Sequence, residues 1–198
     1  DTAHYTYGEL SNEINAETGG IACGVEVFDR ADSVDEYRAF FGVKGKVMYP
    51  KMDVIFRMIR EILNTSDVTD TRRLHEIISR VKSRAQSSLV SAGHSTAVLR
   101  AASYASPMAA FQDGMAGIAY YQFIEKLDRE FDDRKEEIIE NLKSLMVEIL
   151  RPENLCISYT GERESLDSVQ KQIRELKKTL HQEVTESSSS ETVLYKAS

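Results

Sequence analysis

The apolar residues of this chain change their spacing at Gly19-Gly20, and that change is what most limits the fold. Before the glycines, Tyr7 to Glu17 has helical spacing, and Thr6 with Glu9 has the spacing of a capping box. After them, Ile21 to Phe28 alternates apolar and smaller or polar residues, which is the period of a strand with one buried face. The sequence therefore predicts a helix that ends at the glycines and leads directly into a strand.

A second strand is predicted over Tyr37 to Val47, where aromatic and β-branched residues gather. Gly42 and Gly45 within it mark a bulge or a close approach of two backbones. The loop Asp29 to Asp35 would join the two strands into a hairpin.

Two amphipathic helices follow the hairpin. Pro50 stands where the first can begin, and the second starts near Thr69 or Asp70. The apolar residues at helical spacing are Met52, Ile55, Phe56, Ile59, Ile62 and Leu63, then Leu74, Ile77, Ile78, Val81 and Ala85. The basic residues of the second helix, Arg72, Arg73, Arg80, Lys82 and Arg84, are interpreted as a solvated face rather than as a binding patch.

Residues 85–119 are rich in Ala, Ser and Gly, which predicts closely packed helices with bends at Gly93, Pro107, Gly114 and Gly117. A surface of small residues that leaves room for a bound peptide is the alternative interpretation. A longer helix then follows, capped by Asp132 or Asp133 and ended by Pro152. Its predicted core face consists of Ile138, Ile139, Leu142, Leu145, Met146, Ile149 and Leu150.

Leu155 to Thr160 has the composition of a short strand, and Gly161 leads from it into a last helix. The apolar stripe of that helix is Leu166, Val169, Ile173, Leu176 and Leu180. A hairpin, several helices and a returning strand predict an α+β fold, in which helices cover one face of a mainly antiparallel sheet. We expect one domain over residues 1–183, with a Ser-rich linker and the start of a following domain over 184–198.

Composition excludes several classes of protein. The net charge of -7 repels the phosphates of nucleic acids, and no apolar run approaches the roughly 20 residues of a membrane helix. Cys23 and Cys156 lie far apart without a Cys-x-x-Cys partner, so we expect reduced, buried thiols in an intracellular protein. The chain starts at Asp1 without the pattern of a signal peptide, and we expect it to be excised from a longer protein.

No complete catalytic motif is present in the sequence. His75-Glu76 begins the pattern of a zinc peptidase, but Ser79 stands where the second His is required. His4, His94 and His181 have no ligand-like spacing, and neither a nucleophile elbow nor a glycine-rich phosphate loop occurs. We therefore assign no catalytic, cofactor-binding or metal-binding residue to this chain.

Two stretches carry a family resemblance. HYTYGELSNEINAETGGI, from His4 to Ile21, resembles the presequence-protease-like branch of the pitrilysin/insulinase family of zinc metallopeptidases. SYASPMAAFQDGMAGIAYYQFIEKL, from Ser103 to Leu127, resembles the associated region after the catalytic half in that branch. With the order of the helices, the resemblance covers residues 4–183.

The resemblance implies the third, non-catalytic domain of a four-domain clamshell whose first domain carries an inverted His-x-x-Glu-His zinc site. Zinc is therefore expected in the catalytic domain of the parent enzyme and not in this chain. The resemblance also implies that a strand and a helix normally precede Tyr7 to Glu17. Without them a sheet edge or helix face would be exposed, so the isolated fragment would be marginally stable or form a homodimer.

The leading functional hypothesis is a wall of the chamber that admits unfolded peptides and excludes folded proteins. Its partners would be the other domains of the same polypeptide and unfolded peptide substrates. The expected location is intracellular, with a bacterial cytoplasm favoured and a mitochondrial matrix as the alternative. One alternative is a stand-alone assembly module, resembling the inactive core subunits of respiratory complexes, and another is a hydrolase with a dispersed site. A further hypothesis is that Ile21 to Val27 pairs with an extended peptide, although ordinary sheet pairing is favoured.

Overall fold

The computed structural model describes residues 1–182, with no description of the side chains at positions 33–35. Within that range the strands are β1 (Ile21–Arg30) and β2 (Ser33–Gly45), which form a two-stranded antiparallel sheet. The helices are α1 (Tyr7–Glu17), α2 (Met52–Thr65), α3 (Thr71–Ser91), α4 (Gly93–Ala102), α5 (Pro107–Ala116), α6 (Ile118–Arg129), α7 (Phe131–Ile149) and α8 (Leu166–Thr179). The predicted α+β class is confirmed.

The local signals in the sequence explain where most helices begin and end. Thr6 and Glu9 form both bonds of the capping box at the start of α1. Asp70 accepts a hydrogen bond from the Arg73 N–H at the start of α3, and Ser106 does the same for Ala109 at α5. Side chains one residue outside each helix thus satisfy N–H groups that the helix itself leaves open.

The described residues form two compact units. The first unit contains Asp1–Gly24, Gly42–Val68 and the described residues from 139 onward. Its core lies where α2 packs against α8. The buried apolar side chains there are Ile55, Met58, Val169, Leu176 and Leu180.

The second unit contains Val25–Phe41 and Thr69–Ile138. In it α6 packs against both α3 and α5, and α5 also packs against α4. The buried apolar side chains are Ile78, Ala109, Ala110, Ile124, Phe131 and Ile138. Two alanines in this core agree with the interpretation that the small residues of 85–119 let helices approach closely.

The helix breaks in the small-residue stretch fall mostly at the predicted positions. Helix α4 begins at Gly93, α5 begins at Pro107, and Gly117 separates α5 from α6. Gly114 lies inside α5 and makes no break. In the hairpin, a Cβ added at Gly45 would collide with the side chain of Ile55 on α2, so the close approach there is mainly between a backbone and a side chain and not between two backbones as predicted.

Several sequence predictions are wrong. Residues 155–160 form no strand, because a strand needs a neighbour to bond with and the described sheet contains only β1 and β2. The loop of the hairpin is also shorter than predicted, since its turn occupies only residues 31 and 32. Arg30, the last residue of β1, forms ion pairs with Asp32 in the turn and with Glu36 of β2, at 2.9 and 2.6 Å. These exposed charged residues extend the contacts between the two strands up to the turn.

The predicted burial also needs correction. Cys23 and Cys156 are both exposed free thiols, so the prediction that they are buried is wrong. Ile77, Leu145 and Ile149 were predicted to face the core and are exposed. Helical spacing identifies the apolar face of a helix but not how much of that face another element covers.

The boundary predicted at residue 183 lies outside the described residues, so the single domain and the Ser-rich linker stay predictions. No helix in residues 1–182 is both long and apolar enough to cross a membrane.

Met58 is fully buried in the core of the first unit, whereas Met48 in the same unit is exposed. We expect Met58→Ala to destabilise the protein by about 2–5 kcal/mol, because it leaves a cavity between packed helices. Met48→Ala is the matched control and should change the free energy of unfolding by less than about 0.5 kcal/mol. Urea unfolding followed by circular dichroism measures both, and equal effects of the two variants would contradict the assigned core.

Candidate functional site

A polar cluster connects α3 with α6 in the second unit. His75, Ser79 and Lys82 lie on one face of α3 at helical spacing, and all three reach Asp128 of α6. The Ser79 hydroxyl donates to Asp128 Oδ1 at 2.6 Å, and His75 Nε2 lies 3.4 Å from the same oxygen. The hydrogen bond from Lys82 and then the one from Ser79 lower the pKa of Asp128, which keeps this mostly buried carboxylate charged.

His75 also forms one wall of an open depression of about 490 Å³. Its ring stacks on Phe131, with the ring centroids 4.4 Å apart and the planes tilted by 11°. The other lining residues are Thr71, Arg72, Glu76, Ser79, Asp132 and Lys135. The depression therefore combines two cations and two carboxylates around one imidazole.

The geometry of this cluster is not that of a nucleophile. An activated serine donates its hydroxyl hydrogen to an imidazole, which a carboxylate orients from the other side. Here Ser79 donates to Asp128, and His75 approaches that same carboxylate oxygen instead of Ser79. The cluster ties two helices together, and it does not support the alternative of a hydrolase with a dispersed site in this part of the chain.

A zinc ion also finds no suitable set of donors here. A catalytic zinc site needs three protein ligands converging on one point. Among residues 1–182, no group of three or more His, Cys, Asp or Glu side chains is placed to hold a metal ion. Residues 1–182 therefore offer no set of donors for the zinc that the family resemblance implies for its parent, and no chemical step is assigned to a metal there.

The four histidines lie in different surroundings. His4 binds Glu61 and His75 approaches Asp128. His94 is exposed in the first turn of α4, and the backbone N–H of His181 donates to Leu150 O. The four histidines therefore lie on separate parts of the chain, and His4 and His75 have different carboxylate partners.

A second polar cluster surrounds Asp113, whose side chain is fully buried. Arg100 Nη1 of α4 donates to Asp113 Oδ2 at 2.7 Å. The N–H groups of Ile118 and Ala119 donate to the same carboxylate at 3.1 and 3.4 Å. Asp113 thus caps α6, although it lies on α5, and its charge is neutralised from α4.

Gly117 makes this arrangement sterically feasible. A Cβ at that position would lie 2.9 Å from the Asp113 Cα and would overlap its carboxylate. Fully buried Ser103 also donates to the Arg100 carbonyl at 2.6 Å, which fixes the end of α4. Asp113, Gly117 and Ser103 therefore belong to a structural junction of α4, α5 and α6.

A third cluster fixes the start of the chain to α2. The His4 N–H donates to Glu61 Oε1 at 3.0 Å, and His4 Nδ1 lies 3.0 Å from Oε2. The Ala3 N–H donates to Thr65 Oγ1 at 3.2 Å. Burial raises the pKa of Glu61, but hydrogen bonds led by Thr2 and His4 outweigh it and lower the pKa to about 2.

Comparison with known proteins shows the family of this chain. Residues 1–127 match the family described as associated with peptidases of family M16, subfamily C. The chain belongs to this family. The match covers both stretches that carried the resemblance, and the predicted identification as the associated domain of such peptidases is confirmed.

Curated relatives of this peptidase-associated chain include Protein HypA of Clostridium perfringens, which is 29% identical over 88% of the chain. The mitochondrial presequence protease of Yarrowia lipolytica is 28% identical over 73% of it. Presequence protease 1 of Arabidopsis thaliana, a chloroplastic and mitochondrial protein, is 26% identical over 87%. The chain spans only 18, 15 and 16% of the lengths of these three relatives.

The polar centres of this peptidase-associated chain were missed by reasoning from the sequence. Asp113 is a lone charge in a run of small and apolar residues, and Glu61 stands within the apolar stripe of α2. A single carboxylate on an otherwise apolar face is the signal that could have identified both, because such a group is buried only with partners. Asp128 gives no such signal, since charged residues surround it in the sequence.

The hypothesis that Ile21 to Val27 pairs with a peptide stays a prediction. These residues lie in β1, which bonds to β2 in the described sheet.

Replacing Asp113 tests the junction of α4, α5 and α6. We expect Asp113→Ala to destabilise the protein by about 2–4 kcal/mol, toward the lower end of the cost of breaking a buried pair, because Arg100 stays partly exposed. Glu137→Ala, which removes an exposed partner of Arg134, should cost less than about 0.5 kcal/mol. Thermal unfolding compares them, and a loss for Asp113→Ala no larger than the control would refute the junction.

The lowered pKa of Glu61 predicts that the stability of the protein depends on pH in a specific way. Its pKa in the folded protein, about 2, lies below its ordinary value of 4.5, so its contribution is full above pH 4.5 and disappears as the pH falls toward 2. The difference in unfolding free energy between the wild type and Glu61→Gln should therefore shrink across that window. Urea unfolding at a series of pH values measures it, and a difference that does not change with pH would show that Glu61 is not held in this way.

Proposed function

We propose that this chain is a non-catalytic domain in the chamber wall of a zinc metallopeptidase that degrades unfolded oligopeptides. The observation that carries the proposal is the match of residues 1–127 to the peptidase-associated family. Relatives named as presequence proteases, of which the chain spans 15 and 16%, support a larger peptidase as its setting. The chain would close part of the chamber, and the catalytic zinc would belong to another domain.

The hairpin supports packing against the rest of a larger polypeptide. Val25, Phe28, Phe40 and Phe41 are 42, 54, 39 and 43% exposed, although each is a large apolar residue. Phe28 and Phe40 contact each other edge to face at 5.9 Å, and their outer surfaces stay open. A two-stranded ribbon is only marginally stable in water without a covering layer. Other domains of the same polypeptide are the proposed covering layer.

The role of a wall domain is selection by size. A closed chamber accepts an unfolded peptide and excludes a folded protein, without any chemical group supplied by this chain. The helix junctions at Asp113, Asp128 and Glu61 suit that role, because paired buried carboxylates fix the relative positions of neighbouring helices. Unfolded peptides and the other domains are the proposed partners, and a homodimer is proposed only for the isolated chain.

The proposed location is intracellular, with the bacterial cytoplasm favoured. Two of the relatives are described as mitochondrial or chloroplastic, so an organelle is the second candidate.

The experiment compares two pairs of substitutions to threonine, each made on a different exposed apolar surface. Val25→Thr with Phe41→Thr makes the hairpin more polar, and Val90→Thr with Val98→Thr does the same on α3 and α4. In the intact protein, the hairpin variant should lower the unfolding free energy by about 1–3 kcal/mol and reduce hydrolysis of an unfolded peptide, because it removes apolar contacts with another domain. The helix variant should leave both nearly unchanged.

Each result decides between the hypotheses. In the isolated chain, neither variant should matter by more than about 1 kcal/mol, and no peptide should be hydrolysed with or without added zinc. An intact protein that is insensitive to the hairpin variant would refute the packing of the hairpin. Turnover by the isolated chain would refute the non-catalytic role, and an intact protein without peptidase activity would favour the stand-alone assembly module.

A further inference from the structure

Residues 155–160 of the first unit run without a helix, turn or bend. Leu155, at their start, has a φ of -74° and a ψ of 115°, which is extended backbone. Large apolar or aromatic side chains alternate there with smaller ones, in the order Leu155, Cys156, Ile157, Ser158, Tyr159 and Thr160. The smaller ones are all exposed, whereas Leu155 and Tyr159 are partly covered. The segment therefore has the two faces of a strand, although it belongs to no sheet.

The backbone of this segment is almost free of hydrogen bonds. The Leu155 N–H donates to Pro152 O at 3.4 Å, but within residues 1–182 none of the N–H and C=O groups of 156–160 has a hydrogen-bond partner. Backbone groups normally pair with other backbone, with side chains or with water. Five consecutive residues thus present donors and acceptors along two open edges, as an unpaired strand does.

Both ends of the segment are fixed to the first unit. At the start, the Asn154 side-chain amide donates to two carbonyl groups in the last turn of α7, at 2.9 and 3.4 Å. At the end, the Tyr159 hydroxyl is hydrogen-bonded to buried Ser165. Gly161 leaves room for this contact, since a Cβ there would overlap the Tyr159 hydroxyl. The open backbone therefore lies between two fixed points.

The partner that fits such an edge is another extended chain, because only a strand repeats donors and acceptors at a matching spacing. We propose that residues 155–160 accept a strand from another part of the same polypeptide, outside residues 1–182, and so complete a sheet. The chain spans 18, 15 and 16% of the lengths of three relatives, so most of a protein of that size lies outside it. The inference rests on the proposed function in one respect, namely that the chain belongs to a larger protein.

The composition of the segment favours a permanent partner. Exposed edge strands are normally protected by charged residues, by Pro or by a bulge. The exposed hairpin follows this rule, since β2 carries Glu36, Arg38 and Lys44, whereas residues 155–160 contain no charged residue and no Pro. A substrate peptide or a second copy of the chain would leave this uncharged edge open whenever it dissociates. A strand of the same polypeptide covers the edge continuously.

Photochemical cross-linking in the intact protein identifies the partner. A photoreactive benzoylphenylalanine is placed at Ser158, which is exposed within the segment, or at Glu153, an exposed control position before it. Illumination and mass spectrometry should join position 158 to one continuous stretch outside residues 1–182, in a product with the mass of the monomer. Position 153 should not join to that stretch. A product with the mass of a dimer, a link to an added unfolded peptide, or links to residues 1–182 alone would overturn the proposal.

Hydrogen exchange of the intact protein tests the backbone bonds. At least every second amide of 156–160 should exchange on the order of a hundredfold more slowly than an unprotected amide, because strand bonds shield it. Ile157→Pro and Ser158→Pro remove N–H groups on opposite edges, so at least one of them should abolish this protection. Glu162→Pro is the control, since Glu162 already has a φ of -71°, and should leave the exchange of 156–160 unchanged.

The result separates this inference from the proposed function. Unprotected exchange throughout 156–160 in an intact protein that hydrolyses peptides would refute the added strand and leave the proposed function standing. Slow exchange in an intact protein without peptidase activity would support the added strand and refute the proposed function. The exchange of the unmodified protein decides the first point even if a proline variant does not fold.

Discussion

A carboxylate withdrawn from water must find partners for its charge, and this constraint shapes the helix junctions at three acidic residues. Asp113 binds α4 and the first turn of α6, Asp128 binds three side chains of α3, and Glu61 binds the residues before α1. In each case one acidic group on a helix binds groups of another element, which helps to hold the two elements in this arrangement. Apolar packing supplies the driving force, and the carboxylates determine the geometry.

The same constraint explains why particular residues occur in the two stretches that resemble the family. Sequence comparison alone marks them as similar to a peptidase family, but not why those residues are needed. Residues 103–127 place Asp113 and Gly117 so closely that only a residue without a side chain fits at the second position. Residues 4–21 supply His4, the capping pair and the glycines that separate α1 from β1. Both stretches form joints between elements of the fold.

Local signals made much of the fold predictable. The capping box, the Gly19-Gly20 stop and the helical stripes located α1, α2, α3 and α8 closely, because those signals act over a few residues. Residues 155–160 were misjudged because a strand depends on a neighbour elsewhere in the chain, which composition does not reveal. The exposure of Leu145 and Ile149 was missed for a similar reason, since the covering of a helix face is a property of the whole assembly. The side-chain contacts of Asp113 with Arg100, of Asp128 with Ser79 and of Glu61 with His4 join residues 13, 49 and 57 positions apart, beyond the reach of spacing rules.

The two exposed thiols have a practical consequence for anyone who purifies this chain. Cys23 stands on the hairpin and Cys156 on an irregular segment, and neither is protected by a partner sulfur. In air, such thiols form disulfides between molecules at a rate set by access and by their thiolate fraction. Covalent dimers and longer oligomers would then accumulate during storage and resemble native self-association in gel filtration. Fresh reductant in the sample buffer is thus the condition under which any oligomeric state of this chain reports on its folded surfaces.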